Sequence, residues 1–228
     1  MKIYSVIFTW LDYFHMAAEY EKIICPMVDK CSVINSNTSI QLSYPTWIHL
    51  QDAYFTEQWY TAIDLFLKSD CDILFHTQAD CQFDDFSGLI NKASYYFKNH
   101  NCGIYSPNID YTAWTYDLQN LKKFDTNVYE VPQTDESVWF IHRSVIEQFP
   151  RIDPIINKYG WFVDFICIIL SRQQEKVVLR DYTYVVKHSN ITGYDMRVAR
   201  GEFENLTILL GDVGKRMNEL LHEAISAQ

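Results

Sequence analysis

Apolar residues recur along this chain with two different periods. Ile3 to Thr9 is an unbroken, mostly apolar run of strand length, as expected of a buried strand. From Met16 to Val28 the spacing becomes helical and ends near Pro26. Ser32 to Asn35 reads as a second strand, and residues 37–52 read as polar, irregular loop. Trp59, Tyr60, Ile63, Phe66 and Leu67 mark one face of a helix over Thr56–Leu67. Ile73-Leu74-Phe75 is a strand that runs into Thr77-Gln78-Ala79-Asp80. Asp84 or Asp85 supplies an N-cap for a helix reaching about Tyr96, and Gly103 to Tyr105 is a further strand.

This alternation predicts an α/β fold, a mostly parallel sheet flanked by helices. In such sheets ligands bind at the carboxyl ends of the strands, where Gln78–Asp80 falls. Further on, Ser137–Ile141 reads as a strand, Gly160–Leu170 as a helix, and Val177–Leu179 and Tyr182–His188 as extended segments. Leu206, Leu209, Leu210, Val213, Met217, Leu220, Leu221 and Ala224 fit the stripe of a single C-terminal helix. Its other face mixes acids and bases, unlike a basic membrane-surface helix. Packing on the core is expected, or a homodimer through this helix. With 7 Gly and 6 Pro, no obvious linker divides the 228 residues. One domain over 1–228 is expected, with a first half to about 105 and a second from about 106.

Composition narrows the function classes. A formal net charge of −10 with scattered Lys and Arg argues against nucleic acid as partner. An acidic protein still binds an anionic nucleotide if a divalent cation bridges the two. Aromatic residues make up 16% of the chain; they serve either sugar-stacking surfaces or an aromatic core. The six cysteines contain no C-x-x-C pair and read as reduced thiols of a cytoplasmic protein. The N-terminus lacks signal-peptide character, and no apolar run is long enough to span a bilayer. A peripheral membrane location remains compatible.

Three segments carry candidate chemistry. At the end of the 73–75 strand, Asp80 either anchors a hard divalent cation, as carboxylates do, or merely closes a turn. In Gly160-Trp161-Phe162-Val163-Asp164, a carboxylate stands inside an apolar run. Asp164 is either a helix-terminus carboxylate favoured by the backbone N–H groups or a general base with Trp161 as a stacking wall. The late strand ends in Lys187-His188. His188 is either a metal ligand or a structural or exposed histidine. Lys187, Arg180 or Arg197 could face a diphosphate, and residues 189–197 form either a lid or a plain connection. There is no Ser-His-Asp order, G-x-S-x-G, P-loop or G-x-G-x-x-G.

Taken in order, these segments resemble the GT-A fold glycosyltransferases, especially inverting family 2, over nearly the whole chain. The family's D-x-D motif reads Gln78-Ala79-Asp80 here, so the first aspartate is replaced by a neutral amide. Arg151-Ile152-Asp153 and the 160–164 segment resemble the family's acceptor-side region. The resemblance implies Asp164 as catalytic base, and Asp80 with His188 as ligands of Mn²⁺ or Mg²⁺. It implies Thr9, Asn35, Ser36, Gln78, Asp80 and Lys187 around a nucleoside-diphosphate sugar, UDP being the commonest nucleotide. Glu136, Trp139 and Trp161 would then face a glycan or glycolipid acceptor. Two rivals stand beside this reading. One is a sugar nucleotidyltransferase, although residues 8–16 lack a Gly- and Arg-rich phosphate loop. The other is a non-catalytic carbohydrate- or nucleotide-sugar-binding protein with a degraded metal motif.

Overall fold

A computed structural model describes residues 1–40, 43–188 and 194–228, without the side chain of Thr38. Nine strands form one sheet: β1 (Ile3–Thr9), β2 (Lys30–Asn35), β3 (Ile48–His49), β4 (Ile73–Gln78), β5 (Cys102–Ile109), β6 (Lys122–Asp125), β7 (Val128–Glu130), β8 (Val138–His142) and β9 (Val177–Val186). Their spatial order is β3-β2-β1-β4-β8-β5-β9-β7-β6. Only β8 and β7 run against the others. The mostly parallel sheet expected from the alternation is present.

Every residue of β1 is buried, because helices cover both faces of the sheet. Tyr4, Val6 and Phe8 point to one core, and Ile3 and Ile7 to the other. That is the two-residue alternation of a strand. The helices α1 (Phe14–Ile24) and α3 (Phe86–Asn99) cover the second core. The helices α2 (Phe55–Leu67), α4 (Arg143–Ile146), α5 (Val163–Gln173), α6 (Met196–Leu209) and α7 (Asp212–Ser226) cover the first. Asp85 caps α3 by accepting from Gly88 N at 2.8 Å.

Much of the aromatic content is core. Trp59 and Trp139 are fully enclosed, with ring centroids 5.8 Å apart, and Phe75 stacks on Phe140 across β4 and β8 at 4.1 Å. Truncating such a ring costs about 3–5 kcal/mol.

Three expectations are revised, and one hairpin was not anticipated. The two extended segments at 177–188 are one strand, β9, which pairs with β5 on one side and β7 on the other. The β6–β7 hairpin has too few apolar residues to show a period, and turns through Asn127 at φ +58°. The single C-terminal helix is two helices, broken at Gly211 (φ +55°). Its stripe is spent largely inside the molecule: Leu206, Met217, Leu220 and Ala224 are buried among core residues that include those of α5. Finally, Cys25 and Cys31 are joined in a disulfide; Cys71, Cys81, Cys102 and Cys167 are free and buried. The bonded pair is six positions apart and brackets the turn from α1 into β2, a local closure that spacing rules for small scaffolds do not flag. Among the described residues no helix is long and apolar enough to cross a membrane.

Candidate functional site

The carboxyl ends of β1, β2, β4, β5 and β9 place Thr9, Asn35, Gln78, Ile109 and Val186 along one edge. β8 runs the other way, so the residues that precede it, Asp135-Glu136-Ser137, arrive at the same edge. Hydrogen bonds tie the two sets together. Gln78 N donates to Ser137 O at 2.9 Å. Ser137 N donates to Asp135 Oδ1 at 2.8 Å. His76 Nδ1 lies 2.8 Å from Glu136 O.

Asp80 follows β4 in a turn closed by Cys81 N donating to Gln78 O at 3.2 Å. It is buried, and its Oδ2 lies 3.4 Å from His188 Nε2. Cys81 Sγ completes a group whose donor atoms all lie within 4.8 Å of one another. The main chain holds His188 in place. His188 N donates to Asp110 Oδ1 at 2.9 Å, and its Nδ1 faces Tyr111 O at 3.4 Å. Burial opposes the charged imidazole, but the carboxylates of Asp80 and Asp135 and the Tyr111 carbonyl outweigh it and raise the ring's pKa to about 9. Burial, together with the nearby Asp80 and Asp135 charges, pushes the Cys81 thiol well up.

The donor set answers which cation fits. Mg²⁺ requires oxygen ligands in near-octahedral array. An imidazole nitrogen beside one carboxylate and a thiol suits a borderline ion such as Zn²⁺ better than hard Mg²⁺ or Mn²⁺. Gln78 makes no side-chain contact with this group among the described residues, and it brings no charge.

A second acidic group lies on the β8 side. Asp164, in the first turn of α5, is 7% exposed. Its Oδ2 accepts from Gln133 Nε2 at 2.6 Å and its Oδ1 from Phe165 N at 2.9 Å. Glu136 Oε2 accepts from Asp164 N at 3.3 Å. Burial raises the Asp164 pKa to about 8, with Asp135 adding to the effect. Glu136 is pushed well above the carboxylate range by burial and then by the charges of Asp164 and Asp135. Asp135 therefore acts on both His188 and this acid pair.

An aromatic wall stands beside the pair. Trp161 Nε1 donates to Tyr194 OH at 2.7 Å, and Tyr194 stacks on Tyr159 at 4.2 Å. Gly160 adopts φ +79°, and a Cβ there would meet Phe55 Cδ1 at 2.2 Å, so glycine lets the chain turn tightly into Trp161.

The other expected residues are placed as follows. Asn35 is buried at the end of β2, with Nδ2 bonded to Asn37 O (2.6 Å) and facing His49 Nδ1 (3.0 Å). Ser36 N donates to Thr9 O at 3.0 Å. Thr9 is fully enclosed, and its Oγ1 has no partner among the described residues. Lys187 is exposed and pairs with Gln82 through the backbone. Trp139 does not face an acceptor: it is fully enclosed against Trp59, because its place in β8 turns it to the first core. Arg180 is likewise interior, donating to Trp114 O and to Gln133 O (3.2 Å). Arg197 binds Asp195 at 2.7 Å on the surface. Residues 189–193 of the suggested lid lie outside the described residues. Sequence reasoning missed Cys81, Gln133, Asp135, His76 and Tyr194. Only Cys81, next to Asp80, and Asp135, next to Glu136, carried a positional signal.

No family model matches the sequence, and no curated protein matches it. Solved structures resemble it to differing degrees. One, the crystal structure of a mycobacterial protein, is 13% identical with a TM-score of 0.58, covering 93% of this chain and 75% of its own. Another is A197 from STIV, 13% identical with a TM-score of 0.48 (84% and 87% covered). A third is a CMP:2-keto-3-deoxy-manno-octonic acid synthetase complexed with CTP, 10% identical with a TM-score of 0.49 (84% and 92% covered). At 13% identity the likeness to the mycobacterial protein is one of fold alone.

Proposed function

We propose that the protein is a metal-assisted inverting glycosyltransferase. It would move a sugar from a nucleoside-diphosphate sugar, with UDP favoured, to a hydroxyl of a glycan or glycolipid. One observation carries this reading. The Asp80–His188 pair and the Glu136–Asp164 pair open onto the same sheet edge, joined through Asp135 and Ser137. A cation site beside an acid pair of raised pKa suits a reaction that releases a diphosphate and takes up a proton.

In this reading Ser36 stands on the nucleoside side, with the enclosed Asn35 and Thr9 behind it, and Lys187 stands outside the diphosphate. Trp161 and Tyr194 form the acceptor platform, since sugars stack on aromatic faces. The acceptor oxygen attacks the anomeric carbon, the bond from that carbon to the diphosphate breaks, and the hydroxyl proton passes to the acid pair. Asp164 is the base that the resemblance implies. Glu136 is the more open member, and its oxygen touches Asp164 N, so the two act as one unit. Asp80 and His188 would hold the cation. When bound, it offsets the charge that builds on the leaving diphosphate. The region to about residue 105 then serves the donor and the remainder the acceptor.

The test is incubation with several nucleotide sugars and Mn²⁺, Zn²⁺ or Mg²⁺, following donor binding and nucleotide release. A parallel arm supplies nucleoside triphosphate and free sugar and follows pyrophosphate. Donor binding and nucleotide release that depend on Asp80 support the reading. Pyrophosphate release would assign a nucleotidyltransferase instead. Donor binding with no turnover would assign a binding protein, and no nucleotide binding with any cation would remove the reading altogether.

A further inference from the structure

We propose that Cys81 is the third protein ligand of the cation held by Asp80 and His188, and that the site selects a thiophilic ion of the Zn²⁺ and Co²⁺ class over Mg²⁺. This deepens the reading above and rests on it for the ion's role in transfer.

The geometry begins with the turn after β4. Asp80 and Cys81 are successive residues there, yet both donor atoms face one point with His188 Nε2. Cys81 Sγ is 3.9 Å from Asp80 Oδ1, and His188 Nε2 is 3.4 Å from Asp80 Oδ2. In a tetrahedral zinc site with bonds of roughly 2.0–2.3 Å, neighbouring ligand atoms stand roughly 3.3–3.8 Å apart. The group is already close to that spacing. Three protein ligands leave one position open, the pattern of zinc sites that act on a substrate. The second shell is present too: the Tyr111 carbonyl faces His188 Nδ1 and so turns Nε2 toward the ion.

Charge supplies an independent argument. Gln78 is neutral, so Asp80 is the single carboxylate that the turn after β4 brings to the ion. A thiolate at Cys81 restores the second negative charge. The other free thiols, Cys71, Cys102 and Cys167, are not part of the group.

The experiment is a Co²⁺ titration of the full chain, read by absorption spectroscopy, with Zn²⁺ and Mg²⁺ competition and nucleotide-sugar binding measured on the same samples. A thiolate-to-cobalt charge-transfer band is expected in the near ultraviolet, bleached by Zn²⁺ and not by excess Mg²⁺. Cys81→Ser should lose the band and bind Co²⁺ about tenfold or more weaker, while Cys167→Ser keeps both. The wild-type spectrum tests the proposal even if a variant fails to fold. Co²⁺ binding without the band, or a band that survives in folded Cys81→Ser, overturns it, as does the absence of any cation binding. The two readings separate cleanly. A band without donor binding upholds the ligand set and removes the transferase. Donor binding supported by Mg²⁺ with no band does the reverse.

Discussion

Gln133 donates its amide to Asp164 Oδ2 at 2.6 Å, with both side chains closed off from solvent. Gln133 Oε1 has no partner among the described residues. The amide can therefore turn over and accept from a neutral group at position 164. Asp164→Asn should then fold normally and keep donor binding, while transfer falls by about 10²–10⁴, the usual worth of a general base. Glu136→Gln should lose transfer as well, and the double variant should be little worse than either single one, because the pair acts as a unit. Single-turnover kinetics with donor binding measured in parallel checks both.

The same carboxyl sets a pH dependence of stability. The folded pKa of Asp164 is raised to about 8, against about 3.9 in an unfolded chain. The folded state therefore holds the proton more tightly. Its contribution is unperturbed below about pH 4, is lost as pH rises toward 8, and is constant above that. Asp164→Asn removes this loss. Its Tm should match wild type near pH 4 and exceed it near pH 8, by about 2–4 °C for each kcal/mol recovered. Thermal melts across that range decide it. Transfer should follow the opposite course, rising with pH through about 8 as the pair ionises.

Lys92 Nζ meets the fully buried Asp181 at 3.0 Å, and Tyr105 OH donates to the same carboxylate at 2.7 Å. Lys92→Met leaves that carboxylate without its cation. A loss of about 3 kcal/mol is expected, read as a lower urea midpoint with an unchanged slope. Donor affinity should hold, since this pair lies on the core behind the site.

Gly214 packs against the preceding helix so closely that a Cβ would sit 1.7 Å from Thr207 O. Gly214→Ala should separate α6 from α7 and cost about 1–3 kcal/mol. The slope of denaturation shows whether the helix pair unfolds alone. Gly160→Ala should cost about as much or more, adding backbone strain at φ +79°, and should also weaken acceptor binding through Trp161.

Reduction of Cys25–Cys31 is expected to cost about 2 kcal/mol, the loop entropy for a short closed segment. Equilibrium unfolding with and without reductant measures it. Cys25→Ser should then respond to reductant no further.

The sheet and its flanking helices were legible because their signal is local. β1 and the helices α2 and α3 show their periods within a dozen residues. The β6–β7 hairpin was not, since its half-exposed strands carry little apolar contrast and its turn uses Asp-Thr-Asn rather than Asn-Gly. Gly211 lies within a stripe that continues across it, so periodicity alone joined α6 to α7. The site was legible at Asp80, Asp164 and His188, which stand at element ends. It was not legible at Gln133, His76 or Tyr194, whose roles come from contacts across 31 to 60 residues of chain. Trp139 was misplaced because alternation in a strand buried on both faces does not say which residues approach the ligand edge.

The reversed direction of β8 has a consequence for how such a site can vary. Loops that follow β1, β2, β4 and β9 form one side of the candidate site, and each can lengthen without disturbing the ladder behind it. Asp135 and Glu136 instead enter on the segment that leads directly into β8. One residue inserted within β8 would slide them by about 3.3 Å and turn them to the opposite face. If the proposed transfer holds, donor and acceptor preference would drift along separate routes, the first by trading loops, the second by redrawing the chain between β7 and β8.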